Sequence, residues 1–344
     1  MPLARGFLRR IQLTGGSTYI VSLPKEWIKS LGMNRGDYVV IQPQPDGSLR
    51  IVPSKGRRRG PFEASMVIRE DMTPSMVMRD FISRYLAGYD IIKVKFAPHA
   101  LHLRDVIKDV IQRKVVGMEV IEESADELVI QCLAKHSELP VRVALRRMAN
   151  ITQFMLDDLL KAIETGNRKT LEDIPLRDDS VDKFYIFILR QLKMVMSGLL
   201  APSDIEAHDL RECLGLRLVI KSIERIADHI ASSAQHLLAI KDIPNTIRGS
   251  LLMLGKESKE LYIRAIDSFF KGDAVSAHRV ADEVTRIRDM EAKVVEDILG
   301  LVSAEEAIEL RLSAESFRRI AEYSTDISEI TINLAVPVPT LLRK

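Results

Sequence analysis

Cysteine is nearly missing from this chain. Cys132 and Cys213 are the two in 344 residues. They stand far apart and without metal-site spacing, which excludes a disulfide framework and a cysteine-based zinc motif. Each lies in an apolar stretch and reads as a buried, reduced thiol. Aromatics are scarce at 5%, with a single tryptophan, Trp27. No apolar run approaches the ~20 residues of a membrane-spanning helix. The opening Met1-Pro2-Leu3-Ala4-Arg5 lacks the apolar core of a signal peptide. A cytoplasmic protein with no membrane insertion is the expectation. Residues 62–135 hold no Gly-rich phosphate loop after a strand and no nucleophile with a paired base.

Apolar residues make up 46% of the chain and charged residues 28%, a globular composition. The length predicts two or three domains rather than one. A net charge of +2 conceals an uneven split. Residues 1–60 carry 11 Lys/Arg against 3 Asp/Glu, so the remainder is net acidic by six. A basic head on an acidic body suggests that the head meets a polyanion and the body another partner.

The head, residues 1–53, reads as short strands around a small helix. Arg10-Ile11-Gln12-Leu13 alternates, Thr14-Gly15-Gly16-Ser17 is turn chemistry, and Tyr19 to Leu23 is rich in strand formers. Pro24 opens a helix through Trp27 and Ile28 that Gly32 ends. Asp46-Gly47 is a hairpin signal between two further strands. So little apolar area cannot make a core alone, whereas two interleaved copies can. The run "RRIQLTGGSTYIVSLPKEWIKSLGMNRGDYVVIQPQPDGSLRIVP" resembles the AbrB/MazE/SpoVT swapped-hairpin family in its "GGST", "SLPKEW", "LGMNRGD" and "DGSLRI" elements. The resemblance implies an intertwined homodimer that docks basic side chains on DNA. By position it makes Arg9, Arg10 and Lys25 the leading DNA contacts, with Arg50 after them and Ser17 and Thr18 as phosphate donors. The competing reading is that these charges are solvated guards of exposed strand edges. Lys55 to Arg59 reads as a basic linker, either another phosphate contact or a plain tether.

Residues 62–135 read as a small α/β layer of order βαβαββ. Its strands fall near Met66-Val67-Ile68, Ile91 to Phe96, Met118 to Glu122 and Leu128 to Ile130. Its helices run from Pro74 to Ala87 and from Leu101 to Val116. His99 and His102 are three apart without a third ligand, which favours a surface or capping role over a metal site. The layer reads as an interdomain or dimer-contact scaffold.

Residues 139–336 carry helical periodicity broken near Gly166, Pro175, Pro202, Pro244, Gly272 and Ser303, about six helices in all. "SIERIADH" (222–229) and "SFRRIAEY" (316–323) align at an offset of 94. Two tandem three-helix units, 139–240 and 245–336, follow. "VDKFYIFILRQL…LRLVIKSIERIADHIASSA" resembles PhoU, a phosphate-signalling family built of two three-helix bundles. The family's Glu-xxx-Asp pairs can carry metal clusters. Here that implicates Glu224 and Asp228, with Asp182 as a third oxygen and a shifted Glu322-xxx-Asp326 pair in the second repeat. Carboxylates four apart share a helix face, and such hard oxygens suit a divalent or ferric ion. The alternative is a solvated acidic face neutralised by Arg217, Lys221 or Arg225. In the second repeat Arg318 stands where Glu224 stands in the first.

The fold class expected is multidomain: a swapped-hairpin β head, a small α/β middle layer, and an all-α pair of three-helix bundles. The leading functional expectation is a DNA-binding transcriptional regulator of phosphate uptake. A signalling adaptor that binds a phosphate transporter or sensor kinase without DNA is the second. A metal-dependent phosphohydrolase is the third, opposed by the lack of a nucleophile or general acid beside the carboxylates. A non-enzyme is therefore expected.

Overall fold

A computed structural model describes residues 6–43, 47–54, 60–134, 138–299 and 302–338. Asp46 of the expected Asp-Gly turn and the basic segment 55–59 lie outside them. The chain divides into two compact units, an N-terminal one through Gly60 and a second from Pro61 to Pro337.

In the first unit β1 (Gln12–Thr14) pairs antiparallel with β2 (Thr18–Ile20). Gly15 and Gly16 turn the chain at φ of 60° and 79°, a region that a side chain resists. Arg9 and Arg10, expected in or beside the strand, precede it in irregular chain. Helix α1 (Lys25–Ser30) follows Pro24, and β3 (Val39–Pro43) pairs with β4 (Leu49–Pro53). Each hairpin has two strands, and no described residue of this unit is buried. A two-stranded pair without a packed face is marginal in water.

The second unit opens with β5 (Glu63–Ile68), α2 (Pro74–Ala87), β6 (Ile91–Phe96), a 3-10 turn (Pro98–Leu103), α3 (Arg104–Arg113), β7 (Met118–Glu123) and β8 (Glu127–Cys132). The strands lie in the order β5-β6-β8-β7, with β5 parallel to β6 and the rest antiparallel. Strand alternation sends Met66, Ile68, Ile92, Val94, Leu128 and Ile130 into one core with Val77, Phe81 and Tyr85 of α2. The helix expected over 101–116 is shorter. Its first part is the 3-10 turn, in which exposed His102 places Nδ1 3.1 Å from the carbonyl of His99. Neither histidine enters a cluster. Cys132 is half-buried at a strand end rather than fully buried, whereas Cys213 is buried.

The helical body comprises α4 (Val141–Thr165), α5 (Arg168–Met196), α6 (Leu210–Leu238), α7 (Asn245–Lys271), α8 (Ala274–Leu299) and α9 (Ala304–Ala335). Gly166 and Gly272 end α4 and α7 in the left-handed region, at equivalent points of the two repeats. Asn167, Asp209 and Ser303 cap the helices that follow them. Pro175 does not break the chain as expected but lies within α5. It forfeits one backbone hydrogen bond. Buried Leu171 and Ile174 before it and Val181 after it pack into the same core, which holds both halves of the helix in line. That core runs through both repeats, and the Tyr262 hydroxyl of α7 donates to the Ala149 carbonyl of α4 at 3.0 Å.

The middle layer is fastened to α5. Arg190, 5% exposed, donates to the carbonyls of Tyr85 and Tyr89 and to the Asp90 carboxylate, with its guanidinium 4.8 Å from the Tyr85 ring centre. A buried guanidinium satisfied on three sides is a strong, directional joint.

Candidate functional site

Helices α5 and α6 pack side by side, and each presents two carboxylates four residues apart: Asp178 and Asp182 on α5, Glu224 and Asp228 on α6. Burial, then the charges of Asp182 and Asp228, push the Asp178 carboxyl up to about 7, against the pull of Lys114. Burial, then Glu224 and Asp182, push Asp228 up to about 6, with Lys221 and Arg225 opposing. The four groups therefore sit within one another's field. Asp178 Oδ1 is buried and has no hydrogen-bond partner. An acceptor in that condition fits a cation, because an unpaired buried oxygen is costly.

Two lysines already attend the cluster. Lys221 pairs with Glu224, one turn along α6. Lys114, at the end of α3, places Nζ 2.6 Å from Asp179 and 3.1 Å from Asp182. Among the described residues no three His, Cys, Asp or Glu side chains stand grouped to hold an ion as they are. The donor set fits a hard cation, but the carboxylates face lysines.

Sequence reasoning named Asp182, Glu224 and Asp228 and missed Asp178. Its signal was present, since Asp178-xxx-Asp182 repeats the spacing of Glu224-xxx-Asp228. Nothing in the spacing flags Lys114, which meets its partners across 65 and 68 residues.

The corresponding face of the second repeat is built from arginine. Arg318 Nε lies 2.7 Å from Glu291 of α8, while its terminal nitrogens meet Glu322 at 2.7 Å and Glu315 at 3.4 Å. Arg319 and Arg288 each approach Glu322 to 3.2 Å. Burial alone would raise the Glu322 carboxyl, but the Arg318 hydrogen bond and charge, with help from Arg288 and Arg319, hold it below its usual range. Asp326 is pushed up by burial and by Glu329. Glu322 and Asp326, expected as a shifted metal pair, thus differ: three guanidiniums cover the first, whereas among the described residues no ion pair reaches the second, which Arg225 opposes through its charge alone. Tyr323 between them stacks on His229 of α6 at 5.8 Å, with Arg225 5.4 Å from its ring centre.

In the head, Arg9, Arg10, Ser17, Thr18, Lys25 and Arg50 are all exposed. Arg9 donates to the Leu8 carbonyl at 3.1 Å and lies 5.7 Å from the Phe7 ring centre. Ser17 sits in the Gly15-Gly16 turn, Thr18 starts β2, Lys25 starts α1, and Arg50 faces Gln42 across the second hairpin.

Comparison with known proteins follows this division. The family model described as antidote-toxin recognition MazE, bacterial antitoxin, matches residues 12–59. The PhoU domain model matches residues 145–237 and 251–331. A phosphate-specific transport system accessory protein PhoU homolog of Xylella fastidiosa is 25% identical over 193 residues, covering 53% of this chain and 78% of that protein. A homolog of the same description from Aquifex aeolicus is 23% identical over 157 residues, 45% of this chain and 69% of its own. The crystal structure of the phosphate transport system regulatory protein PhoU from Streptococcus pneumoniae superposes with a TM-score of 0.51 at 19% identity, covering 56% of this chain and 92% of that one. PhoU from Pseudomonas aeruginosa gives 0.51 at 18%, covering 56% and 94%. The paired three-helix repeats, matched on both sides of the α6–α7 connection, make this chain a member of the PhoU domain family that carries a MazE-type segment ahead of its helical body.

Proposed function

We propose that this protein is a DNA-binding regulator of phosphate uptake, with the head reading DNA as a homodimer and the PhoU body receiving the signal. One observation carries the reading: a single chain joins a MazE-type segment, all of whose candidate basic contacts are exposed, to a PhoU body. The relatives named for phosphate-specific transport supply the physiological context. Asp178, Asp182, Glu224 and Asp228 would hold a hard divalent or ferric ion, which would neutralise the crowded carboxylates.

The test is salt-dependent DNA binding. Each phosphate contact releases counterions, so affinity falls steeply with salt, by about 0.9 logarithmic units per contact per decade. Fluorescence anisotropy of the full chain on promoter DNA of phosphate-transport genes measures it. Arg9→Ala with Arg10→Ala weakens binding and flattens the slope by about one unit per lost contact. If the double variant binds as the parent does, or the parent does not bind, the head is not the DNA reader. The adaptor reading, with a transporter or sensor kinase as partner, then takes its place.

A further inference from the structure

We propose that Lys114 is a tethered cation of the α5–α6 carboxylate cluster, and that it and a metal ion exclude one another, so that occupancy of the cluster is transmitted to the middle layer. The inference rests on the reading of that cluster as a metal site.

The geometry comes from three places. First, the Lys114 ammonium bridges Asp179 and Asp182 of α5 at 2.6 and 3.1 Å. Asp182 also belongs to the donor set, so an ion taking that carboxylate competes with the ammonium for the same oxygens. Second, the hydrogen bonds of the backbone around Lys114 stay within the middle layer. Its N–H caps α3 on the Val110 carbonyl, Val115 is buried, the Tyr85 hydroxyl donates to the Val116 carbonyl at 3.1 Å, and the Gly117 carbonyl accepts from Leu133 at 2.7 Å. None of these bonds reaches α5, so the α3 end relies on side chains for its polar hold on the body. Third, the joint between layer and body has two ends of different strength. At the α2 end, buried Arg190 is locked by Tyr85, Tyr89 and Asp90. At the α3 end, the polar ties are Lys114 and the Lys183 ammonium, which donates to the Gln112 carbonyl at 2.7 Å.

The charges that face the cluster are Lys114 from α3, Asp178, Asp179 and Asp182 from α5, and Lys221, Glu224, Arg225 and Asp228 from α6. Lys221 and Arg225 come from α6 and lie against Tyr185 of α5 and Tyr323 of α9, all within the helical body, so their release does not reach the middle layer. Lys114 alone of these cations comes from another layer. Metal entry therefore removes one of the two polar ties of the α3 end and loosens it while the α2 end stays fixed, and the reverse holds by linkage: whatever pulls α3 away favours the metal.

Manganese titrated into the full-length protein, with calorimetry and hydrogen exchange as the two readouts, tests this. Lys114→Met binds manganese about fivefold or more tighter than the parent, within the usual range of coupling between sites. Lys114→Arg, which keeps a cation there, stays close to the parent. Arg113→Met removes an equal charge from the adjoining residue, whose guanidinium pairs with Asp109 of α3 itself, and leaves affinity nearly unchanged. Manganese speeds amide exchange across residues 110–118 in the parent. In Lys114→Met exchange there is already fast and manganese does not alter it. If Lys114→Met and Arg113→Met tighten binding equally, the effect is general charge and the proposal falls. If manganese binds the parent without changing exchange over 110–118, the metal reading stands and the coupling falls. If no variant binds manganese, the metal reading falls and takes this one with it.

Discussion

Gly117 links α3 to β7 at a φ of 76°, and a Cβ placed on it would lie 2.2 Å from the Cβ of Ala134 and 2.9 Å from its backbone nitrogen. No side-chain rotation relieves a clash with backbone. Gly117→Ala is therefore expected to cost about 2–4 kcal/mol, from left-handed strain together with overpacking, and urea unfolding measures it. In the sequence Gly117 is legible only as a break between a helical and a strand pattern. Arg318 offers a second case. Its guanidinium serves Glu291, Glu315 and Glu322, so Arg318→Ala leaves three partly buried carboxylates without it. The expected loss is about 2 kcal/mol at neutral pH, below the figure for a fully buried pair because the residues keep some solvent. A carboxyl held below 4.5 in the fold, as Glu322 is, contributes stability above that pH and loses it as pH falls through the lower folded value. The penalty of Arg318→Ala thus shrinks below about pH 4. A penalty equal at pH 7 and about pH 3 would mean that Arg318 acts through packing instead.

At the scale of elements, helical periodicity and capping residues made the body readable, because each of its helices buries one continuous stripe. Gly166, Gly272 and Ser303 announce helix ends correctly, since each acts on backbone groups within a few residues. Pro175 misleads because its local cost is outweighed by core packing on either side, which no short window contains. The candidate site divides in the same way. The pairs Asp178–Asp182 and Glu224–Asp228 are written in spacing along one helix. Their convergence across α5 and α6, and the arrival of Lys114 from another layer, depend on tertiary packing. The asymmetry between repeats gives a prediction. Glu224→Ala with Asp228→Ala removes most of the bound metal, Asp178→Asn weakens it, and Glu322→Ala leaves it nearly intact, because arginines already neutralise Glu322. Elemental analysis of the purified full-length variants, with circular dichroism to verify the helical body, measures the order. Equal loss from the two repeats would overturn the asymmetry.

For the whole molecule, the head's composition and its structure point to the same need. The sequence alternates strand formers and turn residues over fifty positions that cannot enclose a core, and the described head residues include none that is buried. Apolar side chains instead stand open on both hairpins, with Leu13 57%, Tyr19 75% and Ile41 54% exposed. Val40 and Ile41 are neighbours on β3 and so point to opposite faces, yet both are apolar and exposed. A strand apolar on both faces is one that folding covers on both faces. A second copy of the same head can supply that cover, and its basic residues are then doubled on one particle. Val40→Asp with Ile41→Asp places charges where the partner would pack. Each lost apolar side chain costs roughly 1.5–3 kcal/mol of burial, and the two-fold arrangement counts each substitution twice. Dimer affinity of the full chain should fall by at least about a thousandfold, enough to yield monomers at micromolar concentration. Sedimentation velocity reads the assembly state, and anisotropy on the same samples reads DNA binding. The two should be lost together, while the helix signal of the body persists. A variant that remains dimeric would place the dimer contact outside the head, and one that turns monomeric yet keeps its DNA affinity would separate DNA reading from strand exchange.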